Sequence, residues 1–122
     1  MDKKKIMIVD DEPDILKTME IFLKCEGYDI ITACDGISAL EKIKKEKPDL
    51  VVLDVMLPKL DGYKVCRMLK FDKNFKNLPI VMFTARAQEA DEKKARDVKA
   101  DAYITKPLQS DVFLAKIKQL LS

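Results

Sequence analysis

Five side chains in this sequence are of types that could do chemistry together: Asp10, Asp11, Asp54, Thr84 and Lys106. Carboxylates crowded into one place repel unless a cation intervenes. Carboxylate oxygens with a backbone carbonyl and water suit a hard ion that keeps part of its water shell, so Mg²⁺ is the expected cofactor. A lysine offers phosphate oxygens a compact positive charge, and a threonine offers a hydroxyl donor. A carboxylate can also attack phosphorus to form an acyl phosphate. Together these properties describe phosphoryl transfer to Asp54, with the cation and Lys106 stabilising the charge on the moving group. The chemistry requires a fold that gathers residues spread from position 10 to position 106.

Short apolar runs supply the means. Ile6 to Val9 leads into Asp10-Asp11, Leu50 to Leu53 into Asp54, Ile80 to Phe83 into Thr84, and Ala102 to Thr105 into Lys106. Such runs, too short for helices and rich in β-branched residues, read as strands buried on both faces. Tyr28 to Ala33 is a further strand, the second in chain order.

Helical patterns alternate with the strands. Glu12 and Pro13 open the first, where a proline loses no hydrogen bond, and Ile15, Leu16, Met19, Phe22 and Leu23 form its buried stripe up to a stop at Gly27. Ile37, Leu40 and Ile43 mark a second, which carries Lys42, Lys44 and Lys45 on a solvated face and ends at Pro48. Asp61 is placed to cap a third, with Val65, Cys66, Met68 and Leu69 facing inward. Residues 85–98 have helical composition but only Ala87, Ala90, Ala95 and Val98 as apolar anchors, so this helix should be held weakly. Ser110 is expected to cap the last helix, whose apolar side is Val112, Phe113, Ile117, Leu120 and Leu121. Five rounds of strand then helix predict an α/β fold, a three-layer (βα)5 doubly wound parallel sheet. In such a sheet all strands end on one rim, where ligands bind.

The totals narrow the alternatives. One domain over residues 1–122 is expected, since this length buries a sufficient core without staples. With 23 basic against 21 acidic residues, no whole-domain excess of positive charge points to direct nucleic-acid binding. Three cysteines, Cys25, Cys34 and Cys66, lie far apart in sequence, suggesting buried or half-buried free thiols in a reducing cytoplasm. The absence of histidine excludes a Ser-His-Asp triad and a phosphohistidine relay within the chain. The first residues form neither a signal peptide nor a membrane span, which makes a cytoplasmic location the expectation.

Asp10-Asp11 after the first strand, Asp54 after the third, Thr84-Ala85 after the fourth and Lys106-Pro107 after the fifth resemble the receiver domain of two-component response regulators. The similarity covers essentially the whole chain. It implies a flavodoxin-like sheet with strand order 2-1-3-4-5. Asp54 would become a 4-aspartylphosphate, with a sensor histidine kinase or phosphotransfer protein as donor. Asp11, Asp54 and the Met56 carbonyl would bind Mg²⁺, with Asp10 acting through water, while Thr84 and Lys106 would contact the phosphoryl group. Thr84 and Tyr103 would form the switch, and Lys106-Pro107 would be cis. The small-residue helix over 85–98 predicts that the surface formed by that helix, the fifth strand and the last helix responds to phosphorylation, and the same surface is a candidate for a homodimer. The chain would be a stand-alone receiver or the first domain of a longer regulator.

Lys99 departs from the family pattern, which often has glycine there. A left-handed conformation is expected at this position, at a cost of about 1 kcal/mol for a residue with a Cβ. Met56 and Arg86 occupy positions that tune phosphoryl lifetime within the family.

Each residue also has a plain structural reading. Asp10 or Asp11 could cap a helix, Thr84 could serve strand formation, Lys106 could be a surface lysine and Tyr103 a packed tyrosine. Two other function classes compete: a phosphatase or phosphotransferase with an aspartate nucleophile, and a binding module that has lost phosphorylation. The former commonly carries a second aspartate where this chain has Met56.

Overall fold

The computed structural model describes residues 3–57, 59–84, 99–105 and 109–122, with the backbone alone at Thr84. Five strands are present: β1 (Lys5–Val9), β2 (Asp29–Ala33), β3 (Leu50–Asp54), β4 (Ile80–Thr84) and β5 (Ala102–Thr105). They form one parallel sheet, as the alternating pattern predicts, in the order β2-β1-β3-β4-β5 that the family resemblance implies. Four helices are described: α1 (Pro13–Cys25), α2 (Gly36–Glu46), α3 (Gly62–Lys70) and α4 (Ser110–Leu121). The helix expected over 85–98 lies outside the described residues.

Strand periodicity divides the core into two clusters, one on each face of the sheet. Met7, Val9, Val51, Leu53, Ile80 and Met82 point to the side covered by α2 and α3, where Ala39, Ile43, Val65, Cys66 and Leu69 meet them. Their neighbours Ile6, Ile8, Leu50, Val52, Val81 and Phe83 point the other way, onto Met19 and Leu23 of α1 and Phe113 and Ile117 of α4. Each fully buried aliphatic side chain contributes about 1.5–3 kcal/mol, so β1 and β3, buried along both faces, hold the sheet together.

The helix ends follow local chemistry. Gly27 has a φ of 91°, the left-handed turn expected after α1. Asp61 caps α3, its Oδ1 accepting from Lys64 N at 3.0 Å, and Asp35 caps α2 in the same way through Ser38 N at 2.8 Å. Ser110 does not cap α4. It is the first helical residue, preceded by Gln109, which makes no side-chain capping bond. Lys99 adopts the expected left-handed conformation, with a φ of 65°.

Three apolar residues assigned inward face solvent instead. Ile37, Met68 and Val112 are each about half exposed, and smaller or better placed neighbours fill the core. On α2 the inward residues are Gly36, Ala39 and Ile43. The cysteine expectation also holds only for Cys66, which is buried, while Cys25 and Cys34 are exposed. Burial pushes the Cys66 thiol up to about 12, with the Lys70 ammonium pulling against it. An unfolded chain ionises this thiol near 9, so the folded state loses stability as pH rises from about 9 towards 12. At pH 8, iodoacetamide is expected to modify Cys25 and Cys34 in the native protein and Cys66 only after denaturation, as peptide mass mapping would read. Rapid native labelling of Cys66 would contradict its burial.

Candidate functional site

The rim at the carboxyl ends of the strands brings Asp10, Asp11 and Asp54 into one region, with the backbone of Thr84 beside them. Val9 and Leu53 are register partners, so the residues that follow them, Asp10 and Asp54, stand at the same level on adjacent strands. Asp54 is itself the partner of Phe83, which places Thr84 one step further along the next strand, opposite Thr105. Lys106 follows Thr105 in sequence but lies outside the described residues, as does its bond to Pro107.

Asp10 and Asp54 are the buried charged residues among those described, at 0% and 3% exposure. The same local device orients both. Asp10 Oδ1 accepts from Glu12 N at 2.9 Å, and Asp54 Oδ1 accepts from Met56 N at 3.1 Å. An aspartate bonded to the backbone two residues on is a compact turn, and here it turns the chain away from the sheet while fixing the carboxylate. Asp10 is thus not the cap of α1, since the N-cap position belongs to Glu12.

Carboxylate oxygens of Asp10, Asp11 and Glu12 lie within 4.8 Å of one another, a donor set suited to a hard divalent cation. Glu12, read from the sequence only as the opener of α1, joins this cluster. Its place three residues after a strand was the available signal. Asp54 lies outside the cluster but faces it from the neighbouring strand. Met56 is 65% exposed and meets Asp54 through its backbone N–H.

Two glycines, read from the sequence only as loop punctuation, allow close backbone approaches beside the site. A Cβ on Gly62 would lie 2.1 Å from the Asp54 carbonyl oxygen, and one on Gly36 would lie 2.0 Å from that of Leu60. The start of α3 therefore abuts the backbone of Asp54, with Gly62 N donating to Val55 O at 3.1 Å. The loop after β3 is also tied to α2 by the ion pair between Lys59, itself left-handed at a φ of 68°, and Asp35 at 3.8 Å. The Ser38 backbone N–H holds the Asp35 carboxyl below the usual range, with the Ser38 hydroxyl and Lys59 assisting.

Tyr103 is half-buried and packs against the cluster beneath α2 and α3. The opposite, amino-terminal edge holds an open groove of about 870 Å³, lined by residues including Lys44, Asp72 and Phe75, none of them a rim residue.

The family model described as response regulator receiver domain matches residues 6–118. The chain belongs to that family. Receiver domains are phosphorylation-dependent switches of two-component signalling. The alkaline phosphatase synthesis transcriptional regulatory protein PhoP of Bacillus subtilis is 48% identical over 97% of this chain and 48% of its own length. The chain thus spans about half the length of that regulator. A CheY-like receiver domain protein from Methanospirillum hungatei superposes with a TM-score of 0.91, at 32% identity over 98% of this chain and 94% of that one. The receiver domain of the sensor histidine kinase PA1611 from Pseudomonas aeruginosa, with a magnesium ion coordinated in its active-site cleft, gives 0.90 at 26% identity and covers 98% of each chain.

The contact at Gly62 yields a direct test. Gly62→Ala forces the α3 start away from the Asp54 backbone and is expected to cost about 1–3 kcal/mol, the usual penalty of overpacking. A thermal melt should show a clear drop in Tm. A melt matching wild type would mean that the approach at Asp54 is looser than described.

Proposed function

We propose that this receiver domain takes a phosphoryl group on Asp54 in a Mg²⁺-dependent reaction and passes the change to the surface of β5 and α4. The observation that carries the reading is the pair of buried carboxylates, Asp10 and Asp54, level with each other beside the Asp10–Asp11–Glu12 cluster.

Asp11, Asp54 and the Met56 carbonyl would hold the ion, with Asp10 assisting through water. When bound, Mg²⁺ supplies positive charge to the oxygens of the transferring group. One Asp54 carboxylate oxygen forms the new O–P bond while the P–N bond of a partner's phosphohistidine breaks, and the departing imidazole keeps the electron pair. The turn through Met56 N limits rotation of the Asp54 carboxylate and so lowers the entropy lost on attack. Thr84 and Lys106 are assigned to contact the phosphoryl oxygens from the ends of β4 and β5. Residues 1–122 are assigned to a single receiver domain.

A sensor histidine kinase or phosphotransfer protein fits as donor, and the small net charge of +2 favours protein partners over nucleic acid. We assign the response to Thr84, Tyr103 and an open groove of about 280 Å³ lined by Tyr103, Thr105, Gln109, Val112 and Lys116. Phosphorylation would favour one pre-existing arrangement of that surface, which also suits pairing with a second copy. The domain acts as a switch, and no external substrate is assigned to it.

Incubation with Mg²⁺ and acetyl phosphate should add one phosphoryl group to the wild type and none to Asp54→Asn, as read by intact mass, and chelation should abolish the gain. Equal labelling of the mutant would place the site elsewhere. Amide exchange across β5 and α4 should also differ between the phosphorylated and unmodified protein. Unchanged exchange there would remove this surface from the response.

A further inference from the structure

At the opposite end of the sheet from the rim, the last residue of α3 is a lysine whose side chain is only 6% exposed. Lys70 Nζ lies 2.5 Å from Asp101 Oδ2 and donates to the Leu78 carbonyl at 2.8 Å. Asp101 also bonds twice to Ile80, the first residue of β4. Its Oδ2 accepts from Ile80 N at 2.7 Å, and its own N–H donates to Ile80 O at 2.9 Å. One ammonium thus fastens the end of α3, the entry to β4 and the entry to β5.

A second fastening lies beside it. Lys99 Nζ sits 5.0 Å from the centroid of the Phe71 ring, the residue after Lys70, and a cation over an aromatic face is attractive. That contact offsets the cost of the left-handed conformation at Lys99.

Such a device matters most where a strand has little core of its own. A strand's register is strongly specified where its faces are buried, and a one-residue slip exchanges the faces. The side chains of β1 and β3 are almost wholly buried, so the core sets their register. β5 is an edge strand of four half-buried residues, and its apolar contacts specify register weakly.

Resting on the phosphoryl-acceptor reading above, we propose that Lys70 and Asp101 are positioning residues for phosphoryl transfer. Their ion pair at the amino ends of β4 and β5 sets the level at which Thr84 and the end of β5 reach the rim. The carboxylates of β1 and β3 do not depend on the pair. Metal binding and phosphoryl transfer should therefore separate when it is broken.

The test uses Lys70→Met, Asp101→Asn and the conservative Lys70→Arg. Asp101→Asn keeps an acceptor for the Ile80 N–H and provides a folded variant should Lys70→Met melt. Calorimetric titration should give Mg²⁺ affinities within about twofold of wild type, while the rate of phosphorylation by acetyl phosphate falls about tenfold or more. Lys70→Arg should restore most of the rate. Amide exchange at Ile80 and Ala102, measured without phosphodonor, should accelerate in the two charge-removing variants. Unchanged exchange, an unchanged rate, or equal losses of metal affinity and rate would each overturn the proposal. Should the wild type take no phosphoryl group, the acceptor reading fails, and exchange at Ile80 and Ala102 still decides the clamp.

Discussion

Two carboxylates held out of water on adjacent strands set the terms for the rest of this structure. An ionised group is costly to bury without hydrogen bonds or an opposite charge. Asp10 and Asp54 each have a backbone N–H two residues further on, supplied by the turn that leaves the strand. The turns therefore do two things at once: they compensate part of the burial and aim the carboxylates at one place. Carboxylates gathered in this way repel one another, and a divalent cation among them would relieve that repulsion.

Close packing around Asp54 keeps this arrangement rigid. β3 is buried along its whole length, and α3 starts against the Asp54 carbonyl because residue 62 has no side chain. On the other flank, Lys59 and the Leu60 carbonyl tie the β3 loop to the capped end of α2. β5 has fewer such constraints. Its residues are half-buried, and it is fastened chiefly at its entry, where Asp101 meets Ile80 and Lys70. The sheet therefore grades from a fixed centre at β1 and β3 to a more adjustable edge. A switch needs that gradient, because a site that reorganised along with its output surface could not hold the ligand that drives the change.

Much of this was legible in the sequence, for a physical reason. Strands buried on both faces are short apolar runs, and a charge at the end of such a run is conspicuous, so Asp10, Asp54 and the parallel sheet followed from pattern alone. The strand order came from the family resemblance. Helix faces were less legible. Ile37, Met68 and Val112 fit a helical period yet point to solvent, because periodicity fixes a stripe only to within one neighbouring position, while packing volume selects among candidates. On α2 the inward places belong to Gly36, which abuts the Leu60 carbonyl, to Ala39 and to Ile43, so Ile37 is left facing out.

The least legible features are contacts between distant segments. Nothing local in the sequence pairs Lys70 with Asp101, or sets Gly62 beneath a carbonyl eight residues earlier. Lys99 is an instructive intermediate. Its left-handed backbone was expected because the family often has glycine there, but sequence gave no reason for a lysine. The structure supplies one: the side chain that a glycine lacks reaches the Phe71 ring, beside the Lys70–Asp101 pair. A position where backbone freedom alone would favour glycine has instead gained a contact that fastens the entry to β5. The conformational cost is local, while the contact acts between α3 and the sheet edge. That exchange fits a domain whose edge strand has little core of its own to fix its place.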